Sequence, residues 1–119
     1  IIPRGTSVIL VMVILSSATV FISEFVSNTA TAVSFFFIAL SVFSGHNIPL
    51  LPILIGISLS STVVFMGPLA SPVNALAFGG VKGVNLRKMI MLGFFMNIIG
   101  ITIMSILAIY FFPYYYKVY

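Results

Sequence analysis

Apolar residues run along this chain in four blocks, at about 6–23, 30–43, 48–66 and 89–112, separated by short polar stretches and helix breakers. At 1.5 Å per residue the first block makes roughly 27 Å of helix and the second about 21 Å, both short of the roughly 30 Å hydrocarbon core of a bilayer. Two short helices joined by polar Ser27-Asn28-Thr29 predict a re-entrant hairpin over residues 5–43 with its tip at 27–29. Residues 2–4 and 44–47 then lie on one side of the membrane, and Pro3 and Pro49 fall near helix starts, where a missing N–H costs little. The third block is long enough to approach a full crossing and ends at Gly67-Pro68, with Pro72 close behind. Proline removes a donor and obstructs the preceding turn, so residues 67–74 are expected to interrupt a transmembrane helix spanning 47–78. Gly79-Gly80 ends that helix, a loop over 79–88 follows, and 89–112 form the last span, with Gly93, Asn97 and Gly100 on one face. Tyr110, Tyr114, Tyr115, Tyr116 and Lys117 read as its interfacial anchor.

Composition removes the soluble alternative. With 61% hydrophobic and 5% charged residues and a mean hydropathy of +1.32, the chain lacks the polar surface a water-soluble domain shows. The fold class is an all-α integral membrane bundle in a multi-pass protein of the plasma (inner) membrane, with the lipid bilayer as its main surroundings. The net charge of +4 does not signal nucleic acid, because Lys82, Arg87 and Lys88 crowd one loop, as the positive-inside rule expects of a cytoplasmic connection. That puts loop 79–88 inside, the C-terminus outside, and the mouth of the hairpin on the extracytoplasmic side. Arg4 and Lys117 then lie outside near the interface, where their side chains can snorkel. Zero cysteines exclude a disulfide framework or thiolate metal site. One His and one acid leave no paired carboxylates and no catalytic triad, so the chain is not read as an enzyme. His46, in a short polar loop, reads as solvated.

The chemistry lies at the two breaks. A hairpin tip opposes the carbonyl-rich end of one helix to the amide-rich end of the next, so the first can coordinate a cation and the second an anion. Asn28 supplies a donor and an acceptor, Ser27 and Thr29 supply hydroxyls, and Ala70 to Asn74 repeat the arrangement at the broken helix. Ser-Asn-Thr by itself could be a plain helix cap; the partner motif is what raises it to a binding site. Glu24, one turn before the tip, either fixes the hairpin through hydrogen bonds or takes part in ion or proton coupling. Asn97 reads as helix–helix glue rather than a ligand contact. Phe35-Phe36-Phe37 is bulk facing lipid or scaffold.

The string from Ser23 through Glu24, Phe25, Val26, Ser27, Asn28, Thr29, Ala30 and Thr31 to Ala32, followed by Gly67-Pro68-Leu69-Ala70-Ser71-Pro72-Val73-Asn74-Ala75, resembles the C-terminal repeat of the divalent anion:sodium symporter family. The resemblance implies an elevator-type carrier, a homodimer at full length, moving succinate-, citrate- or sulfate-class anions with Na⁺ as coupling ion and no organic cofactor. It implies substrate contacts from Ser27, Asn28, Thr29, Ser71 and Pro72, and a sodium site formed by Ser23, Val26, Asn28, Ala70 and Asn74. The family commonly carries Thr-Pro-Pro-Asn where this chain has Ser71-Pro72-Val73-Asn74, a change that keeps the hydroxyl and relaxes the loop. Carriers of this type are built from two repeats around a central site, and no second copy of either break occurs here, so the chain reads as lacking an N-terminal repeat. Its start at Ile1 rather than Met agrees with that expectation. A sodium-independent anion exchanger and a non-transporting scaffold fragment remain the alternatives.

Overall fold

The structure, a computed structural model, describes residues 8–45, 50–111 and 114. Among them every regular element is helical: α1 (Val8–Ser23), α2 (Asn28–Phe43), α3 (Leu50–Ser60), α4 (Pro72–Gly80) and α5 (Leu86–Ile106), which runs on into a π-helical turn at Leu107–Phe111. Expectations for Pro3, Arg4, His46, Asn47, Pro49, Tyr115, Tyr116 and Lys117 lie outside the described residues.

The helices are amphipathic in the sense opposite to a soluble bundle. On α1 the residues turned inward are Met12, Ser16, Thr19, Val20 and Ser23, while Ile9, Leu10, Ile14 and Ile22 face outward. On α5 the buried positions are Gly93, Asn97, Ile101 and Ser105, spaced every fourth residue, and the exposed ones include Leu92, Phe95 and Ile99. Water would leave such a surface uncovered, whereas lipid solvates it and leaves small and polar groups to pack between helices. α1 lies at the centre, packed on α2, α3 and α5. An apolar cluster of Val11, Met12, Ala32, Ala39, Phe43, Ile53 and Ile57 joins α1, α2 and α3. A second cluster, Val20, Val63 and Ile101, joins α1 to α5 through the chain that follows α3. Of these helices, α5 is long and apolar enough to cross a membrane by length and composition.

Three boundaries differ from expectation. The third block does not stay helical to Met66: α3 ends at Ser60, and residues 61–71 are non-helical, so the break opens six residues before Gly67. Hydroxyls and a tightened last turn close the helix here: Ser61 Oγ donates to Ser58 O at 2.8 Å and Thr62 Oγ1 to Leu59 O at 2.7 Å, while Thr62 N and Val63 N donate to Leu59 O and Ser60 O. Val63 and Val64, both β-branched, then follow outside any helix. The hairpin turn lies at residues 24–27, closed by Phe25 N and Val26 N donating to Ile22 O, so Asn28 and Thr29 belong to the first turn of α2 rather than to a loop. Finally, Gly79 and Gly80 remain helical, and Arg87 and Lys88 stand in the first turn of α5, leaving a connection of 81–85 that turns at Gly83 with φ +83°.

The start of α5 makes a local test. Asn85 Oδ1 accepts from Arg87 N at 3.1 Å and from Lys88 N at 3.4 Å, capping a helix that has basic residues and no acid in its first turn. Asn85→Ala is expected to lower stability by about 1 kcal/mol, measured by denaturant titration in detergent, with binding at the distant breaks unchanged. A variant as stable as the parent would contradict the cap.

Candidate ion and anion site

The site is best built outward from the chain's one carboxylate. Glu24 is 4% exposed, and its side chain crosses to the non-helical segment behind α3. Its Oε1 accepts from Phe65 N at 2.9 Å, Met66 N at 3.0 Å and the Asn97 side-chain amide at 2.5 Å, while Oε2 accepts from Gly67 N at 2.9 Å. A carboxylate has about four acceptor positions, two on each oxygen; here three donors crowd Oε1 and one reaches Oε2. The three successive backbone N–H groups are those an α-helix would have bonded to carbonyls one turn back, so Glu24 replaces the helix for residues 65–67. Of the two roles open to Glu24 from sequence, the geometry displays the structural one.

Asn97, in the middle of α5, completes the seat. Besides donating to Glu24 it accepts from Phe65 N at 3.0 Å, and it is fully buried. Gly93, one turn away, lets the backbone of Phe65 and Met66 lie against α5: a Cβ there would stand 2.6 Å from Met66 Cα and closer still to Phe65 O. Gly100 does the same for the Val63 side chain. The Gly93, Asn97, Gly100 face is therefore a cradle for the non-helical chain, a more particular job than helix–helix glue.

From this seat the break reaches its second polar group. Asn74 Nδ2 donates to Val64 O at 2.8 Å and to Gly67 O at 3.0 Å, tying the first turn of α4 to the segment held by Glu24. With the amide nitrogen committed to two carbonyls, the amide oxygen faces away from both. Ser71 caps α4, its Oγ accepting from Asn74 N at 3.1 Å, with Pro72 as the first helical residue. Ser27 caps α2 in the same way, its Oγ accepting from Ala30 N at 3.1 Å. Both motifs singled out in the sequence are thus serine-capped helix starts, each with its remaining first-turn N–H groups lacking intrahelical acceptors.

Two oxygens of the sodium set implied by resemblance are buried without a hydrogen-bond partner: Ser23 Oγ and Asn28 Oδ1. An unsatisfied buried acceptor costs about 1–3 kcal/mol, and a cation removes that cost. These groups, neutral and oxygen-only, suit a hard monovalent cation such as Na⁺. Ala70 is buried, Val26 is about half exposed, and Thr29 lies open on the surface. Among the described residues no hydrogen bond joins Ser27, Asn28 or Thr29 to Ser71, Pro72 or Asn74. The structure ties Glu24, Asn97, 65–67 and Asn74 into one network, and among the described residues no hydrogen bond joins Ser27, Asn28 or Thr29 to it. The part missed from sequence is the 61–66 segment; its signal was the Ser60-Ser61-Thr62 hydroxyl run.

The family described as "Sodium:sulfate symporter transmembrane region" matches residues 3–116. A sodium-dependent dicarboxylate transporter, SdcS, of Staphylococcus saprophyticus is 28% identical over 108 residues, covering 91% of this chain and 20% of that protein. An uncharacterized transporter of Haemophilus influenzae is 28% identical over 101 residues, covering 85% of this chain and 22% of that protein. The chain therefore spans about a fifth of the length of the curated relatives it matches. No solved structure matches the chain at a significant level.

Proposed function

The chain belongs to the sodium:sulfate symporter transmembrane family, and from that premise we propose that it forms one wall of the binding site in a secondary carrier that couples Na⁺ to a divalent anion. The observation that carries the reading is that, among the described residues, two of the five buried side-chain oxygens without a hydrogen-bond partner, Ser23 Oγ and Asn28 Oδ1, belong to the sodium set, the others being Thr31 Oγ1, Ser60 Oγ and Ser105 Oγ. In this reading Ser23, Val26, Asn28, Ala70 and Asn74 surround the ion, several through backbone carbonyls. Ser27, Asn28, Thr29, Ser71 and Pro72 meet a succinate-, citrate- or sulfate-class anion through hydroxyls, amides and the helix N-termini they cap. Bound Na⁺ supplies the positive charge that this stretch of membrane protein otherwise lacks.

The 16-residue arm α2, bounded by Ser27 and Ser44, reaches about 24 Å, which supports a re-entrant hairpin rather than a full span. Arg87 and Lys88 at the N-terminus of α5 oppose the helix dipole, a placement a cytoplasmic face tolerates and the positive-inside rule favours. The opposite wall of the site comes from a second repeat, and the assembled carrier is a homodimer working by an elevator movement.

The test is uptake of succinate, citrate or sulfate into vesicles holding the complete native protein that carries this sequence. Uptake is expected to require a sodium gradient and to fall by about 100-fold in Asn28→Ala. Sodium-independent exchange of equal size would overturn the coupling. Restored uptake on co-expression of this chain with the remainder of the carrier would count against a mere scaffold.

A further inference from the structure

Glu24 lies next in sequence to Ser23, in the sodium set, yet its carboxylate points the other way, into the amides of 65–67. We infer that Glu24 is a positioning residue for the ion site, acting through the unwound segment and oriented by Asn97; this rests on the sodium reading above. The path is short and each link is a hydrogen bond. Glu24 Oε2 holds Gly67 N, Gly67 O holds Asn74 Nδ2, and the committed amide nitrogen fixes where the Asn74 oxygen points. Through Oε1 the same carboxylate fixes Phe65 and Met66, next to Val64, whose carbonyl is the other acceptor for Asn74. Gly67 lies close against Glu24, where a Cβ would stand in ordinary van der Waals contact, 3.4 Å from Glu24 Oε2 and 3.5 Å from Glu24 O. The last residue turn of α1 and the break before α4 thus share one joint, and oxygens contributed by α1, the tip and α4 keep a common register. With Oε1 taken up by three donors and Oε2 turned to Gly67 N, Glu24 acts on the ion's ligands through the break.

Glu24→Gln tests this at one atom. The variant keeps an oxygen for Phe65, Met66 and Asn97 but sets an NH₂ against Gly67 N, so it unseats Gly67 while leaving most of the joint in place. In vesicles with the complete native protein, it is expected to raise the sodium concentration for half-maximal uptake about tenfold, with the rate at saturating sodium largely kept and the pH profile unchanged. Asn97→Ala, which removes the orienting donor, shifts it in the same direction by less. If Glu24→Gln does not assemble in the membrane, Asn97→Ala decides alone. Unchanged half-saturation, or a loss of the pH dependence of uptake in Glu24→Gln, would overturn the positioning role, the second because it marks a carboxyl that carries the coupled proton. Native protein with no sodium response in uptake overturns the functional reading and this inference together; a normal native response with unresponsive variants overturns this inference alone.

Discussion

Gly93→Ala is expected to lose at least about 3 kcal/mol of stability, the upper range for overpacking, because its methyl group meets backbone rather than a side chain. The added Cβ would sit 2.6 Å from both Met66 Cα and Phe65 C. Relief demands that residues 65–66 lift off α5, which stretches the hydrogen bonds of Phe65 N to Glu24 and Asn97 at once. Gly56→Ala is the control. Its Cβ would meet the Met12 side chain end at 2.6 Å, a flexible group that can swing aside, and alanine favours helix by about 0.5–1 kcal/mol over glycine. The two glycines look alike in sequence and should differ by several-fold in unfolding free energy, measured by SDS titration of the purified protein. Equal effects would mean that the non-helical segment does not lie against α5.

Glu24→Ala is expected to cost about 3–6 kcal/mol in the same titration. Removing the carboxylate leaves Met66 N, Gly67 N and Asn97 Nδ2 without acceptors at a buried joint, each worth about 1–3 kcal/mol. Phe65 N is protected, because Asn97 Oδ1 still accepts from it. Asn97→Ala should cost less, since Glu24 retains three backbone donors, and the double variant should fall short of the sum because both changes break the same network. A loss below about 1 kcal/mol for Glu24→Ala would contradict the joint. No other side chain in this protein could take its place as acceptor of the same charge, since Glu24 is its one acid.

The largest features were legible in the residues themselves. An apolar surface on every helix, a break that includes Gly67 to Ser71 and a polar stop at Ser27 follow from composition and from proline and hydroxyl chemistry, which act within a turn or two of the residue concerned. The serine caps of α2 and α4 also follow from local pattern, because a cap reads only three residues ahead. Family membership came from two motifs at a fixed separation, Ser27-Asn28-Thr29 and Ser71-Pro72-Val73-Asn74, and residues 3–116 match the family.

What the tertiary structure alone decided is where the polar groups spend their hydrogen bonds. Nothing near Glu24 in sequence says that its carboxylate will serve Phe65, Met66 and Gly67, 41 to 43 residues away, or that Asn97, 73 residues away, will orient it. For the same reason the early end of α3 at Ser60 was read as continuing helix: the apolar run through Val63, Val64, Phe65 and Met66 favours helix or strand about equally until a distant acceptor is available for its amides. Composition and short-range chemistry therefore determined that this chain is a membrane bundle with two breaks, because those effects are carried by each residue and its neighbours. The joint between the breaks was decided by packing, because a buried amide takes whichever acceptor the fold brings within reach.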